Sequence, residues 1–291
     1  MNNIKSTKAK IGDWIFVILC VFISLLCVLP MINLLARSLS GTDYLIRHEI
    51  YLIPKGLNFG AYSTVLSDPK YIRAFFYTVA LTAVSTVVSL FMTTVCAYPL
   101  IFAELKGRNF INVMITITMF FNAGTIPNYL LIQKLGMLDK PIVLILPYCL
   151  SVYNMIIMRS FFYSIPDSLR ESAEIDGASF FRILASIYVP LSKPVMATLA
   201  LFYAVGRWNG YSDALMYVKK PEYYPLQLLL YNILNNINSV EVATQEGFSA
   251  PGLSESLKAA IVMFSTIPIL CIYPFLQKYF IHGVMVGAVK E

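Results

Sequence analysis

Apolar residues run along this chain in six blocks, at about 14–36, 74–102, 110–132, 141–158, 194–212 and 257–280. A helix needs roughly 20 mostly apolar residues to cross the hydrocarbon core of a bilayer. The pattern therefore predicts an all-α polytopic membrane protein with six transmembrane helices. The first block is too long for the apolar part of a signal peptide, and no small-residue cleavage site follows it. It reads as a retained span, with Lys5, Lys8 and Lys10 favouring a cytoplasmic N-terminus. Six spans return the C-terminus to the same side. Lys and Arg divide almost evenly between the two sets of loops, so orientation rests mainly on those lysines.

One polar stretch interrupts the pattern, between the fourth and fifth blocks. Ser168 and Glu171 have the Ser-x-x-Glu spacing of a capping box. Gly177 stands where a helix would stop in a left-handed cap. A second run follows, with Phe180, Leu184, Ile187 and Tyr188 on one stripe and Arg182 and Ser186 off it. Pro190 and Pro194 mark the return to the membrane. The expectation is two short helices joined by a glycine, forming a knob on the cytoplasmic side.

Composition agrees with the pattern. Of 291 residues, 58% are apolar and only 13% charged, which excludes an ordinary soluble domain. The net charge of +6 is spread without a basic run, so it does not point to nucleic acid. The five cysteines (Cys20, Cys27, Cys96, Cys149 and Cys271) fall inside the apolar blocks with no Cys-x-x-Cys pair. They read as buried thiols rather than disulfides or zinc ligands.

Polar residues inside the blocks mark candidate sites. Thr78, Thr82, Ser85, Ser89 and Thr93 form one helical face of small hydroxyls, read as helix packing in preference to a pore lining. The third block holds Asn122, Gly124, Pro127 and Asn128, and the fourth holds Pro147, Tyr148, Tyr153 and Asn154. Interruptions of this kind free backbone groups that must face protein or water. The fifth ends in Arg207-Trp208-Asn209. Arg207 and Trp208 suit either an interfacial anchor or a contact to substrate. The sequence thus nominates Asn122, Asn128, Tyr153, Arg207, Trp208 and Asn209 as lining a polar path.

Other chemistries lack their residues. No Gly-x-x-x-x-Gly-Lys-Ser/Thr occurs, so this chain cannot cradle ATP by that motif. No Asp or Glu lies in the middle of a block, and His48 and His282 lie outside them. That argues against a proton-coupled secondary carrier. No nucleophile triad or metal-ligand cluster is visible, so neither catalytic nor metal residues are assigned. A secondary carrier and a non-transporting membrane scaffold remain the alternatives.

The polar stretch resembles the EAA loop of ATP-binding-cassette importer permeases. That pattern is Glu-Ala-Ala, three residues, Gly, nine residues, then Ile-x-Leu-Pro. Here it reads Glu171-Ser172-Ala173, Gly177 and Ile187-Tyr188-Val189-Pro190, with Ser172 and Val189 as the departures. Trp208-Asn209, Tyr224-Pro225-Leu226-Gln227, Gly124-x-Ile126-Pro127, Leu135-Gly136-Met137 and Leu146-Pro147 resemble the carbohydrate branch, the MalG-like sugar permeases. Within it they resemble the LplC/YtcP-like oligosaccharide group.

The resemblance covers roughly residues 60–291, and the apolar pattern and the N-terminal lysines add a cytoplasmic tail at 1–13, a generic first span at 14–36 and an extracytoplasmic segment at 37–73. A permease core at 74–280 with the EAA loop at about 159–193 and a cytoplasmic tail at 281–291 complete the layout. It implies a location in the bacterial cytoplasmic membrane and a second homologous permease as partner. Two ATP-binding-cassette ATPases carrying ATP and Mg, and an extracytoplasmic solute-binding protein, would complete the complex. The substrate would be an oligosaccharide moved by alternating access. It also implies that the knob docks in a cleft of the ATPase. There Arg170, Glu171 and Asp176 would offer ion pairs, Leu169, Ala173 and Phe180 apolar contact, and Gly177 the sharp turn.

Overall fold

The first apolar block folds as α1, Thr7–Ser38, and every side chain from 13 to 30 is exposed within the chain. A helix that is apolar on all sides and uncovered by its own protein is suited to lipid. In this computed structural model, which describes residues 7–236 and 251–288, all regular elements are helical. The sequence positions 1–6, 237–250 and 289–291, parts of the two tails and of the last outer loop, lie outside the described residues.

The chain divides into two units, residues 1–69 with 232–266, and residues 70–231 with 267–291. In the first, α1 is followed by α2 (Thr42–Ile46) and α3 (Gly60–Ser67). Ala36, Leu45 and Ile50 form a small core, Ser38 bonds the Tyr62 hydroxyl at 2.8 Å, and Arg37 pairs with Glu255. Asn58 Oδ1 accepts the Gly60 N–H at 2.7 Å, which starts α3.

The second unit begins with α4, Pro69–Ala97, followed by a 3₁₀ turn at Pro99–Ile101. The third block is not one helix. It breaks into α5 (Arg108–Phe120) and α6 (Thr125–Lys134), bent by 114°. Gly124 supplies the break at φ +91°, a conformation that residues with a Cβ avoid. The fourth block is a pair of 3₁₀ turns (Pro141–Leu144 and Leu146–Tyr148) leading at 49° into α7, Val152–Phe162. Prolines at 141 and 147 remove the donors a continuous α-helix would need.

After α7 come α8 (Asp167–Ile175), α9 (Phe180–Ile183), a π-helical turn (Leu184–Tyr188) and α10 (Val189–Leu191). This arm joins α11, Lys193–Asn209, with a bend of 82° at Ser192. The fifth block therefore ends at Asn209, three residues before the sequence expectation of 212. Next come α12 (Ser212–Tyr217) and α13 (Leu226–Asn236). The last helix, α14 (Pro251–Ala288), carries Pro268 and Pro274. Among the described residues, three helices are long and apolar enough to cross a membrane unbroken, and up to six spans result if each bent pair counts as one.

Two apolar clusters hold the second unit. One joins Met155, Met158 and Phe162 of α7 to Leu184 and Tyr188 of the π turn and Leu199 of α11. Within it, Tyr98, Phe162 and Tyr188 meet edge to face with centroids 5.2–6.3 Å apart, packing the root of the α8–α9 arm onto α7. The other cluster gathers Ile132, Met137, Val143, Leu144, Tyr217 and Leu228. Thr78, fully buried on α4, accepts the Leu226 N–H at 2.8 Å and fixes the start of α13.

Candidate functional site

The knob is built by α8 and α9. Its start differs from the sequence expectation. Pro166 is the cap residue, and the Leu169 N–H bonds its carbonyl at 3.2 Å, so the helix begins before Ser168. No capping box forms; Ser168 lies inside the helix and its carbonyl accepts from the Ser172 hydroxyl. Asp167 instead places negative charge on the first turn, where the helix dipole favours it.

The end of α8 follows the expected form. Gly177 has φ +76°, its N–H bonds Glu174 O at 3.0 Å, and the Ala178 N–H bonds Ala173 O at 2.9 Å. This is the paired hydrogen bonding of a Schellman cap. Ser179 then caps α9 by accepting the Arg182 N–H.

The knob has an inner and an outer face. Arg170 lies on the inner face, bonded to Glu174 at 2.9 Å, 3.7 Å from Asp167, with its guanidinium 5.4 Å from the Phe102 ring centroid. Burial works against its charge, but the bond to Glu174 and the Glu174 and Asp167 charges outweigh it and hold its pKa above the ordinary value. Arg170 is thus committed within the chain, which departs from the expectation that it would offer an ion pair to a partner. Ala173 also packs inward.

On the outer side, Glu171 and Asp176 are exposed with no ion pair among the described residues. Leu169 and Phe180 are exposed too, as are two residues the sequence reading left out, Ile175 (86%) and Phe181 (78%). Phe181 falls off the apolar stripe of the second run, and Ile175 closes the first.

A second feature is a cavity of about 620 Å³ in the same unit. Its floor is set by Arg207. Nη1 and Nη2 bond Asp213 Oδ2 and Oδ1 at 2.5 and 2.9 Å, and Nη1 also bonds the Leu144 carbonyl at 2.8 Å. Pro147 explains that carbonyl. It has no N–H to give, and the Tyr148 N–H goes to Ile145. Nη2 also reaches Gly210 O at 3.4 Å. A Cβ on Gly210 would lie 2.6 Å from Nη2, so any larger residue there would require the guanidinium to shift. All four terminal N–H groups of Arg207 are spent inside the chain.

The cavity walls are neutral. Ser85 and Ser89 of α4, Tyr148, Ser151, Tyr153, Asn154, Phe202, Tyr203 and Ser212 line it beside the ion pair. The Tyr203 hydroxyl takes the Ser151 N–H at 3.1 Å and bonds Thr93 at 2.7 Å. The hydroxyl face of α4 therefore serves both purposes weighed from sequence: Thr78 and Thr93 pack, and Ser85 and Ser89 face the cavity.

Of the six nominated path residues, the structure brings only Tyr153 and Arg207 to this cavity. Trp208 is one residue on, about 100° around the helix. It is buried, edge to face with Phe75 at 6.0 Å, in an apolar recess with Leu201, Val205 and Ile269. Asn209 is exposed at the end of α11. Asn122 accepts the Gly124 N–H at 2.9 Å and the Asn128 amide at 3.3 Å, so Asn122 in the break is tied to the first turn of α6. Asp213 and Asn154 were not nominated. Asp213 is the first acid after Arg207, six residues on and across a glycine, which was the signal available.

A broken-helix membrane bundle with a capped polar knob and a polar cavity at its helix breaks defines a multi-pass permease. Residues 56–286 match the family of binding-protein-dependent transport system inner membrane components, and the chain belongs to that family. It is 36% identical to LplC of Bacillus subtilis, over all of this chain and 99% of LplC. It is 35% identical to YtcP of the same organism, described as a polygalacturonan/rhamnogalacturonan transport system permease, over 97% of this chain and 99% of YtcP. A chain from a crystal structure of a bacterial ABC transporter that imports the acidic polysaccharide alginate is 32% identical. It superposes with a TM-score of 0.88, over 96% of this chain and all of that one. The chain is accordingly an importer permease subunit of the ATP-binding-cassette class.

Proposed function

We propose that this chain is one of two membrane subunits of an oligosaccharide importer of the bacterial cytoplasmic membrane. Each bent pair counts as one span, giving six, with both termini cytoplasmic. A second permease, two ATPases that bind ATP and Mg, and an extracytoplasmic binding protein complete the complex. The single observation carrying this reading is the outer face of the knob. There, exposed Leu169, Ile175, Phe180 and Phe181 accompany Glu171 and Asp176, which have no ion pair among the described residues, on two short helices joined at the Gly177 cap. An apolar surface of this kind, away from the lipid-facing helices, suits a protein partner.

In the mechanism, ATP-driven closure of the ATPases moves the knob. The knob's root is packed through Tyr188 onto Phe162 of α7, and its arm continues through the bend at Ser192 into α11. Motion of the knob therefore reaches the helix that carries Arg207 and borders the cavity. Arg170 and Ala173 hold the knob in shape; Leu169, Glu171, Asp176 and Phe180 meet the ATPase; Gly177 makes the turn. Tyr153 and the cavity wall receive sugar, and the exposed Asn122 and Asn209 and the half-buried Asn128 lie along the polar path.

The test is uptake of a labelled oligosaccharide by cells expressing the complete transporter, with ATP depleted in one arm and the ion gradients collapsed in the other. Uptake should stop only in the first. Loss with the gradients alone would identify a secondary carrier.

A further inference from the structure

We infer that Asn154 is the sugar-recognition residue of the cavity, and that the ring it takes is neutral rather than a uronate. This rests on the importer reading above and names the substrate class at that site. Asn154 is buried, only 5% exposed, yet its carboxamide makes no hydrogen bond among the described residues, while its backbone N–H donates to Ser151 Oγ. Asn154 lines the cavity, and its amide is not among the side-chain atoms sealed from solvent without a partner. The amide is therefore open to whatever fills that space. A planar group with two donors and one acceptor oxygen matches a pair of neighbouring sugar hydroxyls, each both donor and acceptor.

The neighbours suit the same ligand. Tyr153, next in sequence and 55% exposed, offers a ring face, as does Tyr148 at 47%. The volume of about 620 Å³ falls in the ordinary range for small-molecule sites and has room for a sugar ring.

Charge decides between sugar classes. Among the described residues, the only charged side chains on the wall are Arg207 and Asp213, and they neutralise each other through two hydrogen bonds. A uronate carboxylate entering the cavity would meet no unpaired cation among the described residues. To reach Arg207 it would have to displace Asp213 from a bidentate pair. A neutral ring loses no such stabilisation. The inference therefore sets this cavity apart from the acidic polymers named for YtcP and for the alginate importer.

The experiment uses the complete transporter with its binding protein in proteoliposomes. Arabinotriose, galactotriose and maltotriose serve as neutral probes and trigalacturonate as the acidic one. At least one neutral trisaccharide should enter in an ATP-dependent, saturable way, and trigalacturonate should compete roughly tenfold more weakly, the cost of a carboxylate without a partner. Asn154→Ala should raise KM for the neutral sugar about five- to tenfold while the maximal rate stays within about twofold. Asn154→Gln, which keeps the amide, should recover part of that affinity. A fall in maximal rate with unchanged KM would mark Asn154 as structural and overturn the inference. So would trigalacturonate equalling or surpassing every neutral probe, with uptake still ATP-driven; in both cases the importer reading stands. If no probe enters under ATP, both readings fall together.

Discussion

Arg207 and Asp213 close on each other across the end of α11, six residues apart, with both side chains 8% exposed and two hydrogen bonds between them. Removing one member of such a pair leaves the other charge buried without a partner. That costs about 3–5 kcal/mol, whereas replacing both by apolar groups is often close to neutral. Asp213→Leu and Arg207→Met should each lower the yield and melting temperature of the purified transporter sharply, and the double variant should recover much of the loss. A double variant as unstable as the sum of the singles would show that the two residues act separately. The Leu144 carbonyl, which loses Arg207 Nη1 in both the Arg207→Met and double variants, sets a ceiling on that recovery.

Much of the architecture was legible in the sequence because it follows from hydrophobicity alone. Block lengths set the candidate spans, and Gly124 and Pro147 marked breaks that the structure contains. The Gly177 cap was legible because the αL position at a helix end favours one residue type. The capping box was not formed, because Pro166 and Asp167 start the helix earlier and local spacing cannot decide between competing caps. Side-chain direction was harder still. Arg207 and Trp208 are neighbours in sequence, yet one belongs to a polar cavity and the other to an apolar recess. Arg170 could be read as a surface charge until Phe102, 68 positions earlier in the chain, was placed beneath it. These are tertiary facts, carried by residues far apart in sequence.

Glu171 is exposed on the knob without an ion pair among the described residues, while Arg170 beside it is held by Glu174 and Asp167. Charge reversal should therefore separate two roles. Glu171→Lys should leave membrane insertion intact but cut uptake to roughly a tenth or less, with loss of the ATPase on co-purification, since a like charge at a docked interface is strongly unfavourable. Arg170→Gln should instead loosen the knob and make it more sensitive to proteolysis. Retention of the ATPase and full uptake in the Glu171 variant would place the docking surface elsewhere.

Gly177 has φ +76°, and a Cβ there would meet no atom within 4 Å. Space is therefore not the constraint; backbone conformation is. Asn tolerates this region and Val does not, with strain of about 1–3 kcal/mol for the latter. Uptake should fall in the order Gly, Asn, Val at this position. Equal uptake by Gly177→Asn and Gly177→Val would show that the cap can be remodelled without loss of coupling.

Asp139 ties the turn after α6 to the segment after α12. Its carboxylate accepts the N–H groups of Lys219 and Lys220, and its own N–H bonds Tyr217 O at 3.0 Å. The hydrogen bond from the Lys219 N–H, more than any other cause, holds its pKa below the ordinary carboxylate value. A lowered folded-state pKa stabilises the native protein above the unfolded value, about 3.9. That stability is lost as pH falls through the folded pKa. Asp139 also has φ +58°, which Asn accommodates, and Asn keeps an acceptor oxygen. Asp139→Asn thus removes the charge while keeping the backbone conformation and one hydrogen bond. In detergent solution the wild type should melt higher than this variant by a constant margin from pH 7 down to about pH 5. The margin should shrink as the solution is acidified below about pH 4. A margin that widens toward acid would mean that the carboxylate is bound more favourably in its protonated form, contrary to the bonds it accepts from the two lysine N–H groups.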